Sequence, residues 1–316
     1  MSEFFHAVEV FFDHLAAVHW GALFVALLFH VAKAIVRTFA WRNILRAAFP
    51  GARVQRRAVI GAYLAGVGAN SIAPARGGDA VKLYIARHRI EGSNYATLTS
   101  TLAVETLFDF FVASVLFLWA LQQGVLPSLD VLPNLPTLDW TWILREPRVA
   151  LGVGLALAVF LAPFVVWLKR HLDEVRRRLA KGFAILGDKE RYLREVVTWQ
   201  ALSWTFRFVS VWWFLKAFNV EASVRNALLV LVVQSLSTLL PFSPGGAGTQ
   251  QGLTAYILRG QATTTALLSF SVGMNIATTA MNIGLGFGAI LLTLRTVRWR
   301  GRIGAEKAEP ARSSNP

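Results

Sequence analysis

The chain reads as an all-α polytopic membrane protein, and three observations predict it. Of its 316 residues, 55% are hydrophobic and only 16% charged, with a mean hydropathy of +0.49, against about 25% charged in an average soluble domain. Several apolar stretches approach the roughly 20 residues that a helix needs to cross a bilayer core. Two of these stretches are broken by Pro and Gly at corresponding places in the two halves, the pattern of re-entrant hairpins in an inverted repeat. The expected architecture is about six full crossings plus two re-entrant helical hairpins. The absence of cysteine excludes a disulfide scaffold. A formal charge of +14 would suit nucleic acid, but the basic residues flank apolar segments, where cytoplasmic orientation explains them.

Residues 1–19 lack a basic start and contain Glu3, Glu9 and Asp13, so they do not read as a signal peptide. Phe4, Phe5, Val8, Phe11, Phe12 and Leu15 recur at helical spacing and predict an amphipathic helix in the membrane interface. A first crossing is expected over 20–41, followed by Arg42, Arg46, Arg53, Arg56 and Arg57. The apolar segment 58–72 stops at Pro74-Ala75-Arg76-Gly77-Gly78-Asp79, after which a short helix to about residue 89 and a long one over 94–121 are expected. A Pro-rich loop, 127–147, leads to a crossing at 149–168 and a basic cytoplasmic segment, 169–195. Further apolar segments cover 196–218 and 227–240, the second breaking at Pro241-Phe242-Ser243-Pro244-Gly245-Gly246. A short helix over 249–258 precedes the apolar run 264–294, and 301–316 reads as a basic, polar, disordered tail. Residues 20–300 thus form a single transmembrane domain with inverted halves at about 20–125 and 196–296.

Orientation follows the placement of Lys and Arg. The stretches 37–57, 169–194 and 295–312, with Arg87 and Arg89, are assigned to the cytoplasm, and Arg145, Arg148, Lys216, Arg225 and Arg259 to the outside. The N-terminus is then outside and the C-terminus cytoplasmic, in a multi-pass cell-membrane protein. With Arg57 and Arg87 on one side, the segment between them must enter and return. Arg225 and Arg259 impose the same on the second broken segment, from the opposite face.

Breaks in the backbone at membrane depth are tolerated inside protein or around a wet cavity. The first break is unusually polar, with Asn70, Ser71, Arg76, Asp79 and Lys82. Gly77 and Gly78 would let backbone approach a ligand, and a helix starting near Asp79 would offer N–H groups to an anion. Arg76 adds a planar fork suited to phosphate or carboxylate. One reading is a site for an anionic head group; the other is a structural pairing of Arg76 with Asp79 or Glu105. Glu105 and Asp109 share a helix face at i and i+4, with Arg76 and Lys82 as expected partners. A proton-coupling role and a plain ion pair tying hairpin to helix both stay open. Lys33 is expected to snorkel to the cytoplasmic face, and the deeper Arg207 to reach the cavity. Gln234, Gln250, Gln251, Asn275 and Asn282 read as interhelical hydrogen-bonding groups.

Soluble-enzyme signatures are missing: there is no phosphate loop, no Gly-x-Ser-x-Gly elbow, and the six histidines lack metal-ligand spacing. No catalytic residue, cofactor or metal is expected. Gly284-x-Gly286-x-Gly288 reads as helix packing. The basic segment after 168 would attract anionic lipid rather than nucleic acid.

These residues resemble a known family, the lysylphosphatidylglycerol synthase transmembrane region, also called flippase-like. Residues 70–82, from Asn70 through Pro74, Arg76, Gly78 and Asp79 to Lys82, look like its N-x-x-x-P-x-R-x-G-E-x-x-R. Glu105-Thr106-Leu107-Phe108-Asp109 looks like its E-R-x-x-D, and Pro244, Gly245, Gly246, Gly248 and Gln251 follow its P-G-G-x-G-x-x-E. Asp79 and Lys82 keep the family's charges, whereas Thr106 and Gln251 lose them. The resemblance implies flipping or transport of an anionic phospholipid or lipid-linked molecule, with Arg76, Lys82 and the helix start near Asp79 on the phosphate. Membrane lipids are the expected partners. A second expectation is an accessory subunit of a membrane glycosyltransferase or lipid-modifying enzyme, and a third a membrane-embedded transferase using Glu105 or Asp109 as base.

Overall fold

The computed structural model describes residues 18–73, 77–124, 177–239 and 249–295. These are helical with no strand among them, apart from an isolated bridge between Arg259 and Ala262. The expected interfacial helix up to residue 17, the crossing at 149–168 and the tail lie outside the described residues, as do the two breaks at 74–76 and 240–248.

Helix α1, Trp20–Ala48, runs past the expected end at 41. Nothing in its last turns disfavours a helix, and the chain turns only at Pro50-Gly51. Helices α2, Arg56–Asn70, and α3, Gly77–Arg89, are roughly 22 and 20 Å long, each short of a bilayer core of about 30 Å. They fold back on each other at two glycines. A Cβ on Gly78 would collide with the Gly66 carbonyl oxygen, and one on Gly66 would lie 2.9 Å from Lys82 Cβ.

Helix α4, Tyr95–Gln122, starts at Asn94, whose side chain accepts the Thr97 N–H at 2.9 Å. A chain of short turns ending in a π turn, Leu193–Val197, feeds α5, Thr198–Ala217. Asn43 Nδ2 donates to the Glu195 carbonyl in that turn at 2.7 Å and ties it to α1. Helices α6, Val224–Leu239, α7, Thr249–Ile257, and α8, Thr264–Arg295, complete the order.

Helices α1 and α5 form the most extensive packing and run antiparallel. The His19 N–H donates to Ala217 O at 2.9 Å, Ser210 Oγ to Ala26 O at 2.8 Å, and Ser203 Oγ to Lys33 O at 3.1 Å. These bonds recur every seven residues on each helix, with small serines binding backbone across the seam. Helix α8 lies along α2, and α6 packs on α4 and α5. A Cβ on Gly68 would sit 2.6 Å from Gly286 Cα, whereas Gly284 and Gly288 meet nothing within 4 Å. Only the middle glycine of the predicted triplet therefore sets a helix contact.

The outer faces are apolar. Leu107, Phe110, Phe111, Val115 and Leu118 on α4, Phe24 and Leu28 on α1, and Ile276, Phe287 and Leu292 on α8 are all exposed. Among the described residues, three helices are long and apolar enough to cross a membrane: Trp20–Ala48, Tyr95–Gln122 and Thr264–Leu292. Helix α5 instead buries Gln200, Ser203 and Ser210 and carries Arg207.

Candidate functional site

The polar residues of α1 to α5 converge on two carboxylates of α4. Lys82 sits in the middle of α3, only 5% exposed. Its Nζ donates to Glu105 Oε2 at 2.7 Å and lies 4.1 Å from the ring centroids of both Trp41 and Tyr63. Glu105 Oε1 accepts from Arg37 Nε at 2.7 Å and from the Tyr63 hydroxyl at 3.1 Å. One turn on, Asp109 accepts from Arg37 Nη1 at 3.0 Å, from Arg37 Nη2, and from Trp204 Nε1 at 2.9 Å. Gln200 Nε2 donates to the Glu105 backbone carbonyl at 3.0 Å, so α5 is fixed to the same turn.

Glu105 and Asp109 thus share a face, and an ion pair joins hairpin to helix through Lys82. The cation that bridges both carboxylates is Arg37, which the sequence assigned to the basic stretch beyond the first crossing. Arg37 also falls inside the expected crossing 20–41, and within α1 its guanidinium turns inward to both carboxylates. Lys33 and Arg37 are themselves i and i+4 on one face, a signal that was present in the sequence. Tyr63, Trp41 and Trp204 were also missed, because an aromatic in an apolar run carries no mark of its polar edge.

Two half-open cavities between the helices flank the cluster. The hairpin cavity, about 230 Å³, is lined by Asn70, Asp79, Lys82, Glu105, Thr106 and Asp109, with Arg37 and Tyr63. Five of the predicted residues are brought together there. The second cavity, about 240 Å³, is lined by His30, Lys33, Arg37, Tyr63, Ser203, Trp204, Arg207, Gln234 and Asn282. Arg207 lines this cavity, and so does Lys33, which was expected to snorkel outward. Arg37, Tyr63 and Val67 form the wall between the two.

The other predicted residues have more local roles. Asn70 Oδ1 accepts the Gly78 N–H at 2.8 Å, so one free N–H at the α3 start is already taken. Ser71 Oγ donates to Val67 O within its own helix. Gly78 serves the close approach of α3 to α2 rather than of backbone to a ligand. Gly77 has the Ala73 side chain 2.9 Å from where its Cβ would lie. Gln251, half-buried on α7, lines neither cavity. Pro74, Arg76, Pro244, Gly245, Gly246 and Gly248 lie outside the described residues. Gln234 and Asn282 do bond between helices, to Arg207 and His30.

Among the described residues, no group of three or more His, Asp or Glu side chains could hold a metal ion. Both carboxylates of the cluster are engaged by cations at hydrogen-bond distance. The arrangement can hold polar or charged matter away from the apolar outer faces.

A family model described as "Lysylphosphatidylglycerol synthase TM region" matches residues 5–286. No curated protein and no solved structure matches the chain.

Proposed function

Because the chain belongs to the lysylphosphatidylglycerol synthase TM region family, and is therefore a membrane protein of lipid metabolism or transport, we propose that it moves an anionic phospholipid or lipid-linked molecule across the cell membrane. One observation carries this reading: Asn70, Asp79, Lys82, Glu105 and Asp109 line a single cavity between the helices of a body whose outside is apolar. Charge in such an interior is costly and marks a pathway or a site. The carboxylates are neutralised by cations rather than poised as bases, which favours movement over chemistry.

The inverted repeat belongs to the same reading. The antiparallel α1–α5 seam and the exchanged pairings, α2 with α8 and α4 with α6, support it. In it the α2–α3 and α6–α7 pairs enter from opposite faces as re-entrant hairpins, within about six crossings. The N-terminus is placed outside and the C-terminus in the cytoplasm by the positive-inside rule.

The test is reconstitution into liposomes holding a fluorescent anionic lipid in both leaflets, with a membrane-impermeant quencher outside. The protein should expose the inner-leaflet pool, and Arg76→Ala and Asp79→Asn should slow it. Lipid composition co-purifying with wild-type and Arg76→Ala protein would name the substrate. No acceleration over protein-free liposomes, with stable co-purification of a lipid-modifying enzyme, would replace this reading by the accessory-subunit one.

A further inference from the structure

We propose that the second cavity, a half-open pocket lined from α1, α2, α5, α6 and α8, is an anion subsite in which Lys33 and Arg207 bind the phosphate of a phosphomonoester or phosphodiester head group. The proposal deepens the transport reading and relocates its charge recognition away from Lys82.

The distribution of charge decides between the cavities. In the hairpin cavity the cations Arg37 and Lys82 are met at hydrogen-bond distance by Glu105 and Asp109, and Asp79 lines the same space. An anion entering there meets carboxylates as well as cations. The second cavity is lined by His30, Lys33, Arg37 and Arg207 and by no Asp or Glu. Among the described residues, neither Lys33 nor Arg207 has a carboxylate partner at ion-pair distance.

The hydrogen-bond inventory agrees. Arg207 gives Nε and Nη2 to the neutral Gln234 Oε1, at 3.2 and 2.9 Å, and has further N–H groups beyond these. Gln234 Nε2 meets the Met274 sulfur at 3.7 Å, a weak acceptor. His30 Nε2 donates to Asn282 Oδ1 at 2.8 Å, which leaves the Asn282 amide as a donor. Ser203 Oγ already donates to the Lys33 carbonyl. The cavity is thus rich in donors and poor in acceptors. Asp109 attracts Arg207 from outside this lining but is already engaged by Arg37 and Trp204; desolvated charge so weakly compensated is expensive, and a bound anion relieves both cations at once.

Shape points the same way. The Arg207 guanidinium carbon lies 4.7 Å from the Trp204 ring centroid, which holds the planar fork in place. A fork beside an ammonium suits phosphate oxygens. The volume, about 240 Å³, falls below the roughly 300–1,000 Å³ of drug-sized sites. It fits a head group, with the acyl chains outside.

Binding in neutral detergent tests this, with dioctanoylphosphatidylglycerol, inorganic phosphate and the uncharged dioctanoylglycerol as probes. Native mass spectrometry or calorimetry reads affinity in wild type, K33Q/R207Q, the charge-keeping K33R and R207K, and the exposed control R194Q. Phosphatidylglycerol should bind wild type and R194Q alike, and each lost cation should weaken it by about 10- to 100-fold. K33R should keep most of the affinity and R207K, which keeps the charge but loses the fork stacked on Trp204, a part of it; both report that loss of charge, not of fold, is responsible for the rest. Phosphate competing as well as the lipid would assign the site to free phosphate. Equal binding of dioctanoylglycerol, no anion binding by wild type, or wild-type affinity in monodisperse K33Q/R207Q would overturn the subsite. Lipid movement in liposomes undiminished in K33Q/R207Q would remove the subsite and keep the transport reading. Charge-dependent binding with no lipid movement by wild type would do the reverse.

Discussion

Glu105→Ala is the sharpest test of the charge cluster. The substitution removes two charge-assisted hydrogen bonds at 2.7 Å, from Lys82 and Arg37, and the 3.1 Å bond from Tyr63. Arg37 keeps Asp109, but Lys82, 5% exposed, keeps the faces of Trp41 and Tyr63 and the more distant attraction of Asp79. Breaking a buried pair from one side costs about 3–5 kcal/mol, and the rings retain about 1 kcal/mol or more of it. The expected loss is therefore about 2–4 kcal/mol. Asp109→Asn should cost less, about 1–2 kcal/mol, because the Arg37 and Asp109 side chains are 21% and 27% exposed. Removing both buried charges together, in K82M/E105L, should recover more than half of the single-variant loss, since no uncompensated ammonium remains. Unfolding in mixed micelles with rising dodecyl sulfate, followed by tryptophan fluorescence, gives the four midpoints. Equal losses for Glu105→Ala and Asp109→Asn, or a double variant no better than Glu105→Ala, would refute the reasoning.

Three further outcomes are expected in the same assay. Gly78→Ala drives a methyl into the Gly66 carbonyl and should lower stability by about 2 kcal/mol or more, with the amides of α2 and α3 the first to exchange with solvent deuterium. Gly286→Ala, with its Cβ 2.6 Å from Gly68 Cα, should destabilise by a similar amount, whereas Gly288→Ala, in open space, should be neutral or stabilise by up to about 1 kcal/mol. Asn94→Ala removes the acceptor for the Thr97 N–H and should cost about 1 kcal/mol, while Asn94→Asp should cost little.

Helix ends were largely legible in the sequence because their signals are local. Asn94 capping α4 and the stretch to Leu239 before the second break were placed within a few residues. The end of α1 was misplaced because charge, rather than the Pro50-Gly51 turn, was taken as its limit. Arg37 was overlooked for a related reason: it was counted with the basic stretch 37–57, and a cation judged to lie in water has no need of a partner. The Glu105–Asp109 face was readable from i, i+4 spacing. The partners on α1, α2 and α5 were not, because contacts across 42 to 95 residues of chain leave no periodicity. Gly78 and Gly286 illustrate a related limit. Composition shows that a glycine tolerates close approach, but only packing shows that another helix, not a ligand, approaches.

The partition made by Arg37, Tyr63 and Val67 belongs to both cavities at once. Whatever displaces this partition from one side alters the space and the charge on the other. Occupancy of the two chambers is then linked by a free energy that must be reciprocal: the amount by which the first occupant changes the affinity of the second equals the amount by which the second changes the first. A substitution confined to one chamber should accordingly shift binding in its neighbour, and pairs of substitutions across the partition should fail to add.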